Sequence, residues 1–400
     1  KRITDGALSL GHEVEWLTHV EFSSPAQLGP IAVRPVFTAT MYDRYRADKR
    51  ASLPPDLDAR LLRELKEGIA AARVGERDHV VFHTAYADVY RALPGYVAGT
   101  DWSRGPCLHV CTPYDLETMP GKTPGSPLAD VFSGLRTIEA VDRKLFFWAE
   151  TPQLAAHFTA RYGFNVRALP LPPPRPESDY AAAAEAGPVT ALYLGAAREE
   201  KGFLHLPDIA ARLYESHGRT GKLRFVIQCT PQIVGYVPSI KAAIEALSRF
   251  PAAYVRLIEA PLGEDEYHAE LAACDAVLLL YNQKNYRIRG SGIAVEAVCA
   301  GKCLLARRDT FCASLITHGG GRAVDGVDDT VHALAELAKR PGEYRERAST
   351  QAAHYRRASG AQAYVRRIIG QADESRRVPF FPSSIAGHVS PVLFGSAWTG

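Results

Sequence analysis

Two groups of cationic and glycine residues in the second half of the chain each follow an apolar run. The first lies in Leu192–Phe203, where a turn at Gly195 leads to Arg198 and Lys201. Arginine offers a bidentate fork and lysine a point charge, so the pair suits the oxygens of a diphosphate. A solvated turn, in which both cations balance the two glutamates between them, is the alternative interpretation.

The second group precedes a helical pattern further along the chain. Gly290 and Gly292 permit close backbone approach to a ligand, and Ser291 can cap the helix and donate to a phosphate. Glu296 falls inside that helix, where it could accept hydrogen bonds from ribose or sugar hydroxyls, or simply complement the helix dipole. We expect Arg289 to approach the phosphates or an acidic sugar or acceptor, with an exposed loop arginine as the alternative.

Polar residues also end two apolar runs in the first half of the chain. His83 could polarise a sugar hydroxyl or accept a proton, because imidazole titrates near neutral pH, although a lone histidine at a strand end is more often structural. Tyr114 and Asp115 end the other run and, with His83, are the candidates for catalysis and for sugar and acceptor contacts. His109 lies deeper in that run, so we interpret it as a packing residue.

The elements that would position these residues alternate between short apolar runs and longer helical patterns, which predicts βαβ units. Unbroken apolar runs are typical of parallel strands buried on both faces. The predicted strands are Val14–Leu17, Ile31–Val33, His79–His83, Leu108–Thr112, Leu145–Ala149, Val166–Leu169, Val189–Leu194, Leu223–Cys229, Tyr254–Ile258, Ala276–Tyr281, Lys302–Ala306 and Arg322–Val324. The fold class is therefore α/β, with two Rossmann-like doubly wound domains facing a cleft.

A proline-rich stretch after Leu169 divides the chain. We predict an N-terminal, acceptor-binding domain over residues 1–175, a linker over 176–187 and a C-terminal, donor-binding domain over 188–360. Residues 361–400 should form a C-terminal helix and an irregular tail. Because residues 1–10 already have the pattern of the first helix, we expect the usual opening strand to be truncated, disordered or supplied by a separate segment.

Composition narrows the function classes. A net charge of +3, from 47 basic and 44 acidic residues, gives no support to nucleic-acid binding. The seven cysteines lie mostly in apolar segments, which predicts reduced, buried thiols, no metal site and a cytoplasmic location. The basic and aromatic segment Tyr42–Arg50 could touch anionic lipid at the inner face of the membrane or an acidic acceptor, but a solvated helix face explains it better.

Together the two donor-type groups resemble the donor half of glycosyltransferase family 4 and its relatives, over most of residues 80–350. In that family such loops clasp the diphosphate and ribose of a nucleotide sugar, and the matching residues here are Arg198, Lys201, Ser291, Gly292 and Glu296. Many members carry another glutamate near the sugar, and its position here is occupied by Ile288. The resemblance implies the GT-B fold and a retaining hexosyl transfer to an acceptor hydroxyl. An arrangement of cations around the diphosphate needs no metal ion, and the acceptor could be a saccharide, a lipid-linked or a protein substrate. The resemblance implies no cofactor beyond the nucleotide sugar as co-substrate.

Two other functions remain open. A GT-B sugar-nucleotide epimerase would act on the donor without an acceptor. A catalytically degenerate binding or scaffold subunit would keep the donor loops and lose turnover. A phosphorylase fits less well, because those enzymes are far longer and surround a cofactor lysine that is not seen here.

Overall fold

A computed structural model describes residues 2–20, 31–38, 57–85, 87–99, 104–115, 133–135, 144–176, 180, 187–231 and 237–377. The basic segment Tyr42–Arg50, most of the predicted linker 176–187 and the tail beyond 377 lie outside the described residues.

The second half of the chain contains a six-stranded parallel sheet. Its strands are β7 (Val189–Tyr193), β8 (Leu223–Gln228), β9 (Val255–Ile258), β10 (Ala276–Leu279), β11 (Cys303–Arg307) and β12 (Gly321–Val324). Their spatial order is β12-β11-β10-β7-β8-β9. The chain thus starts in the centre and winds outwards first on one side and then on the other, as in a doubly wound Rossmann sheet. The order reverses between β7 and β10, and ligands of such sheets bind in the crevice at that point.

The first half contains two parallel sheets among its described residues. A pair is formed by β1 (Glu15–His19) and β2 (Ala32–Phe37). A four-stranded sheet has the order β3-β4-β5-β6, comprising His79–Phe82, Cys107–Thr112, Leu145–Ala149 and Val166–Ala168. All strands predicted from the apolar runs are present. The largest difference is at β2, which extends to Phe37 rather than ending at Val33.

Helices cover the sheets and connect the strands. They are α1 (Arg2–Ser9), α2 (Leu57–Ala71), α3 (Ala87–Ala98), α4 (Pro152–Tyr162), α5 (Leu206–Leu213), α6 (Pro238–Ser248), α7 (Glu264–Ala273), α8 (Gln283–Tyr286), α9 (Gly292–Cys299), α10 (Phe311–Ser314), α11 (Val327–Lys339), α12 (Pro341–Ser359) and α13 (Ala361–Arg377). Gly360 separates α12 from α13.

The last described helix, α13, packs against the first half of the chain. Its Tyr364 and Ile368 share a buried cluster with Trp148 of β5 and Cys111 of β4. The helix also packs closely on α1, since a Cβ added at Gly6 would lie 2.7 Å from the backbone of the first residue of α13. The chain therefore returns to the first half after completing the second sheet.

The cysteines agree with the prediction of thiols in the core. All seven are buried and none forms a disulfide. Within the described ranges, no group of three or more histidine, cysteine, aspartate or glutamate side chains could hold a metal ion. In the same part of the chain, no helix combines the length and apolar character needed to cross a bilayer.

Candidate donor site

The turn after β7 brings the backbone to the centre of the crevice. All five residues of β7 are buried, and the chain then turns at Gly195, whose φ of 105° favours glycine. The Gly195 N–H donates to Gln228 Oε1 at the end of β8, over 2.7 Å. This bond fixes the turn at the carboxyl edge of the sheet.

Arg198 and Lys201 follow in a short 3-10 turn, Glu199–Lys201. Arg198 pairs with Glu200 at 3.5 Å, while its Nε is buried without a partner among the described residues. Burial, followed by the charges of Arg198 and Arg289, lowers the pKa of Lys201 to about 8. Arg198 is thus paired with one of the two glutamates between the cations, whereas no ion pair within 4.0 Å joins Lys201 to a described carboxylate, so the diphosphate role of the two cations stays a prediction.

The turn ends at Gly202, which is held tightly against β10. Its φ is 77°, and a Cβ added there would lie 2.2 Å from the Leu280 carbonyl oxygen. The next residue, Phe203, is fully buried in the core. Only glycine fits at position 202, so the cationic turn is anchored at its end.

The second predicted loop leads into α9. Ser291 is the N-cap of this helix, and its hydroxyl accepts from the Ala294 N–H over 3.3 Å. Gly292 opens the helix, and a Cβ at this position would meet nothing within 4 Å. The helix therefore presents its amino-terminal end, where the helix dipole favours anions, to open space.

The two loops converge. A Cβ added at Gly195 would lie 3.0 Å from Lys201 Nζ and 3.5 Å from Ile293 Cδ1 in the first turn of α9. The Lys201 ammonium also lies 5.8 Å from the ring centre of Tyr281, after β10. The cationic turn and the amino-terminal end of α9 thus line one crevice between β7 and β10.

Arg289 lies between residues of both halves. Its guanidinium is 4.6 Å from the ring centre of Tyr114 and 5.3 Å from that of Tyr286. These distances are typical of cation–π contacts. The loop before α9 is also hydrogen-bonded to the first half, since the Thr151 hydroxyl donates to the Ile288 carbonyl oxygen over 2.6 Å.

Glu296 lies further along α9, on the side of the site occupied by α7. Its carboxylate accepts a hydrogen bond from the Tyr267 hydroxyl. Burial raises the pKa of Glu296, while the Tyr267 hydrogen bond and the Arg175 charge oppose that rise. This surrounding differs from a solvated first-turn glutamate, but no described contact joins Glu296 to Arg198 or Lys201, so its role in donor binding stays a prediction.

The three residues predicted from the first half contact different parts of the structure. Tyr114 stacks on Arg289, whereas Asp115 lies 3.7 Å from His157 of α4. His83 faces the ring of Tyr364 in α13, with the ring centres 6.2 Å apart. The structure brings Tyr114 into contact with Arg289 in the loop before α9, and the catalytic roles of all three stay predictions.

One residue at the site was not predicted from the sequence. Glu150 follows directly after β5, and its Oε2 lies 2.9 Å from the position of a Cβ added at Gly290. Burial raises the pKa of Glu150 to about 7, although the Arg289 charge opposes this. The signal was available, because Glu150 ends the apolar run Leu145–Ala149 as His83 and Tyr114 end theirs.

Comparisons with known proteins support the fold. No family model matches the chain, and no curated protein matches it. Among solved structures, it is similar to a sucrose-phosphate synthase of Thermosynechococcus elongatus (TM-score 0.60, 12% identity, covering 94% of this chain and 91% of that one). It is also similar to a glycosyltransferase of Rickettsia africae (TM-score 0.67, 10% identity, 94% and 93% covered). A third is a UDP-forming α,α-trehalose-phosphate synthase of Burkholderia xenovorans (TM-score 0.54, 13% identity, 85% and 84% covered).

At such low identities these matches establish the architecture. The predicted fold class is confirmed: the chain has the GT-B fold, with two Rossmann-like domains built on parallel sheets. The comparisons do not single out glycosyltransferase family 4.

Proposed function

We propose that the protein is a glycosyltransferase that moves a sugar from a nucleotide-sugar donor to an acceptor hydroxyl. The observation that carries this proposal is the convergence of the Lys201 turn and the amino-terminal end of α9 on one crevice, where both Lys201 Nζ and Ile293 approach the backbone of Gly195 closely. That crevice is the point where the strand order reverses, which is where doubly wound sheets bind nucleotides. The similar solved structures are named as synthases and a glycosyltransferase, and they agree with the proposal.

The donor diphosphate would occupy the crevice. Arg198, Lys201 and Arg289 would surround it, and the amides at the start of α9 would donate to its oxygens. Glu296 would accept from ribose or sugar hydroxyls. Gly290, Ser291 and Gly292 would allow the loop backbone to approach the ligand closely.

Catalysis would come from stabilising the leaving group. As the glycosidic bond breaks, negative charge grows on the departing diphosphate, so interactions with Arg198 and Lys201 strengthen in the transition state. The acceptor would bind on the first half, near Tyr114 and Asp115. Retention of configuration and independence from metal ions belong to this proposal. Product stereochemistry by NMR tests the first, and turnover in the presence of EDTA tests the second.

A nucleotide-sugar panel tests donor binding directly. A ligand that binds the folded protein preferentially raises its melting temperature, so one group of UDP-, GDP- or ADP-sugars should do so. Arg198→Ala and Lys201→Ala should abolish most of that rise. Arg219→Ala is the matched control, because Arg219 is an exposed arginine that pairs with Glu215, four residues earlier on the surface.

Turnover separates the alternatives. Transfer to added acceptors, lost in the Arg198 and Lys201 variants, supports the transferase. Conversion of the donor sugar without acceptor would indicate an epimerase, and binding without any conversion would indicate a degenerate binding subunit. Unchanged transfer by both alanine variants would refute the site assignment.

A further inference from the structure

Glu150 occupies a position at the junction of the two halves that the proposed function leaves unused. Its backbone N–H donates to the Thr112 carbonyl oxygen at the end of β4, over 3.2 Å, which fixes the residue at the carboxyl edge of the first-half sheet. Its Oε2 points to the backbone of Gly290, 2.9 Å from where a Cβ would stand. Among the described residues, none donates a hydrogen bond to its carboxyl group.

Among the described residues, the titratable groups that interact with Glu150 come from four elements, and one of these groups is charged near neutral pH. Cys111 of β4, Tyr355 of α12 and Tyr364 of α13 interact electrostatically with Glu150, and burial raises the pKa of each of them. Arg289 from the loop before α9 is the cation. Its guanidinium stacks between two tyrosine rings, and no ion pair within 4.0 Å joins it to a described carboxylate.

Binding of a diphosphate beside this carboxyl would change its charge. Burial already outweighs Arg289 and brings the pKa of Glu150 to about 7. A diphosphate at the start of α9 adds negative charge close by, which raises the pKa further, because a like charge disfavours the ionised form. In the complex the group would therefore be protonated, and a protonated carboxyl has one O–H donor.

We propose that Glu150 is a further donor-binding residue, a neutral carboxyl group that the first half of the chain places against Gly290 and that donates a hydrogen bond to the donor diphosphate. The proton is taken from solvent when the donor binds and returns to solvent when the nucleotide leaves. The hydrogen bond strengthens as charge builds on the leaving diphosphate. This inference depends on the proposed function, since it needs a diphosphate in the crevice.

The test is the pH dependence of nucleoside diphosphate binding. UDP, GDP and ADP are each titrated by calorimetry into wild type and Glu150→Gln between pH 6 and pH 8. Glutamine keeps the shape of the side chain and an N–H donor but does not titrate. Because the ligand titrates identically in both experiments, the wild-type Kd divided by the Glu150→Gln Kd reports the effect of Glu150 alone.

From a pKa of about 7 in the free protein, this ratio should rise roughly tenfold between pH 6 and pH 8. Glu150→Ala, which removes the donor, should bind more weakly than Glu150→Gln at both pH values. Lys201→Arg controls for the other group that titrates nearby. The Kd of Lys201→Arg divided by the Kd of the double variant with Glu150→Gln should rise with pH as it does for the wild-type pair.

The outcomes are distinct. A ratio that rises with pH, with proton uptake detected in buffers of different ionisation enthalpy, supports the inference. A ratio that stays flat while wild type binds a nucleoside diphosphate overturns the role of Glu150 and leaves the proposed function standing. If none of the three nucleotides binds wild type at any pH, the proposed function itself fails.

Discussion

Thr151 joins the two halves of the chain at the donor site, and its hydroxyl makes two hydrogen bonds there. It accepts from the Leu154 N–H over 3.0 Å as the N-cap of α4, and it donates to the Ile288 carbonyl oxygen over 2.6 Å. Thr151 is fully buried and Ile288 is half-buried. Thr151→Val would remove both bonds while nearly preserving the shape of the side chain.

The expected cost follows from these two contacts. Loss of a threonine N-cap costs about 1 kcal/mol, and loss of the hydrogen bond to the half-buried Ile288 carbonyl costs about 0.5–1.5 kcal/mol. Thr151→Val should therefore lower the free energy of unfolding by roughly 1.5–2.5 kcal/mol. Thr151→Ser is the matched control, because it keeps the hydroxyl and loses only a methyl group. The loop carrying Arg289 and Gly290 would also lose a tether, so nucleoside diphosphate binding should weaken more in the valine variant than in the serine variant.

The measurement is urea unfolding followed by circular dichroism and tryptophan fluorescence. Coincident transitions are required, because a chain with two halves need not unfold in one step. A free energy of unfolding within about 0.5 kcal/mol for the valine and serine variants would refute the assigned hydrogen bonds, since a residue without special contacts gives differences of that size.

Three further predictions concern the cationic turn and α9. Gly202→Ala should lower the melting temperature strongly, because a positive φ and a Cβ 2.2 Å from the Leu280 carbonyl oxygen together cost about 2–5 kcal/mol; a melting curve like that of wild type would contradict this. Tyr267→Phe should raise the pKa of Glu296 further by removing a hydrogen bond to its carboxylate, which a carbon-13 NMR titration would detect, and an unchanged midpoint would disprove the contact. Lys201→Met should melt above wild type at pH 7, because the folded protein holds Lys201 at a lowered pKa of about 8 against 10.5 unfolded. Between these two pKa values the unfolded chain binds more protons than the folded one, so wild type gains stability as pH rises. The difference in melting temperature between the variant and wild type should therefore narrow over this pH range, and a constant difference would exclude a desolvated ammonium.

The strands could be predicted from the sequence because parallel strands covered by helices on both faces must be unbroken apolar runs. The run at Val189–Leu194 illustrates this, since β7 occupies Val189–Tyr193 and is buried throughout. The glycine turns could be predicted as well, because each of them follows such an apolar run. A strand order that starts at the centre brings the residues after β7 and β10 to one crevice without any specific long-range contact.

Contacts between the halves could not be predicted in this way. The sequence shows Ile288 only as the place of an absent glutamate, whereas in the structure its side chain packs against the core of the first half and its carbonyl accepts from Thr151. His83 faces Tyr364, which lies 281 positions later on a helix that returns to the first half (364 − 83 = 281). Such contacts depend on how two independently predictable sheets meet, and strand periodicity carries no information about that.

The charged residues around the crevice indicate what charge a ligand bound there would carry. Burial is the largest cause of the lowered pKa of Lys201; among the neighbouring charges, Arg198 and Arg289 lower it further and Glu200 opposes them. Arg198, Lys201 and Arg289 lie close enough to interact with one another, and an anion with at least two charges would offset the repulsion among them on binding. A neutral Glu150 fits this balance better than an ionised one, because a second carboxylate facing the diphosphate would weaken the attraction that the cations provide. We infer that charge arrangement, more than any single hydrogen bond, selects a diphosphate for this crevice.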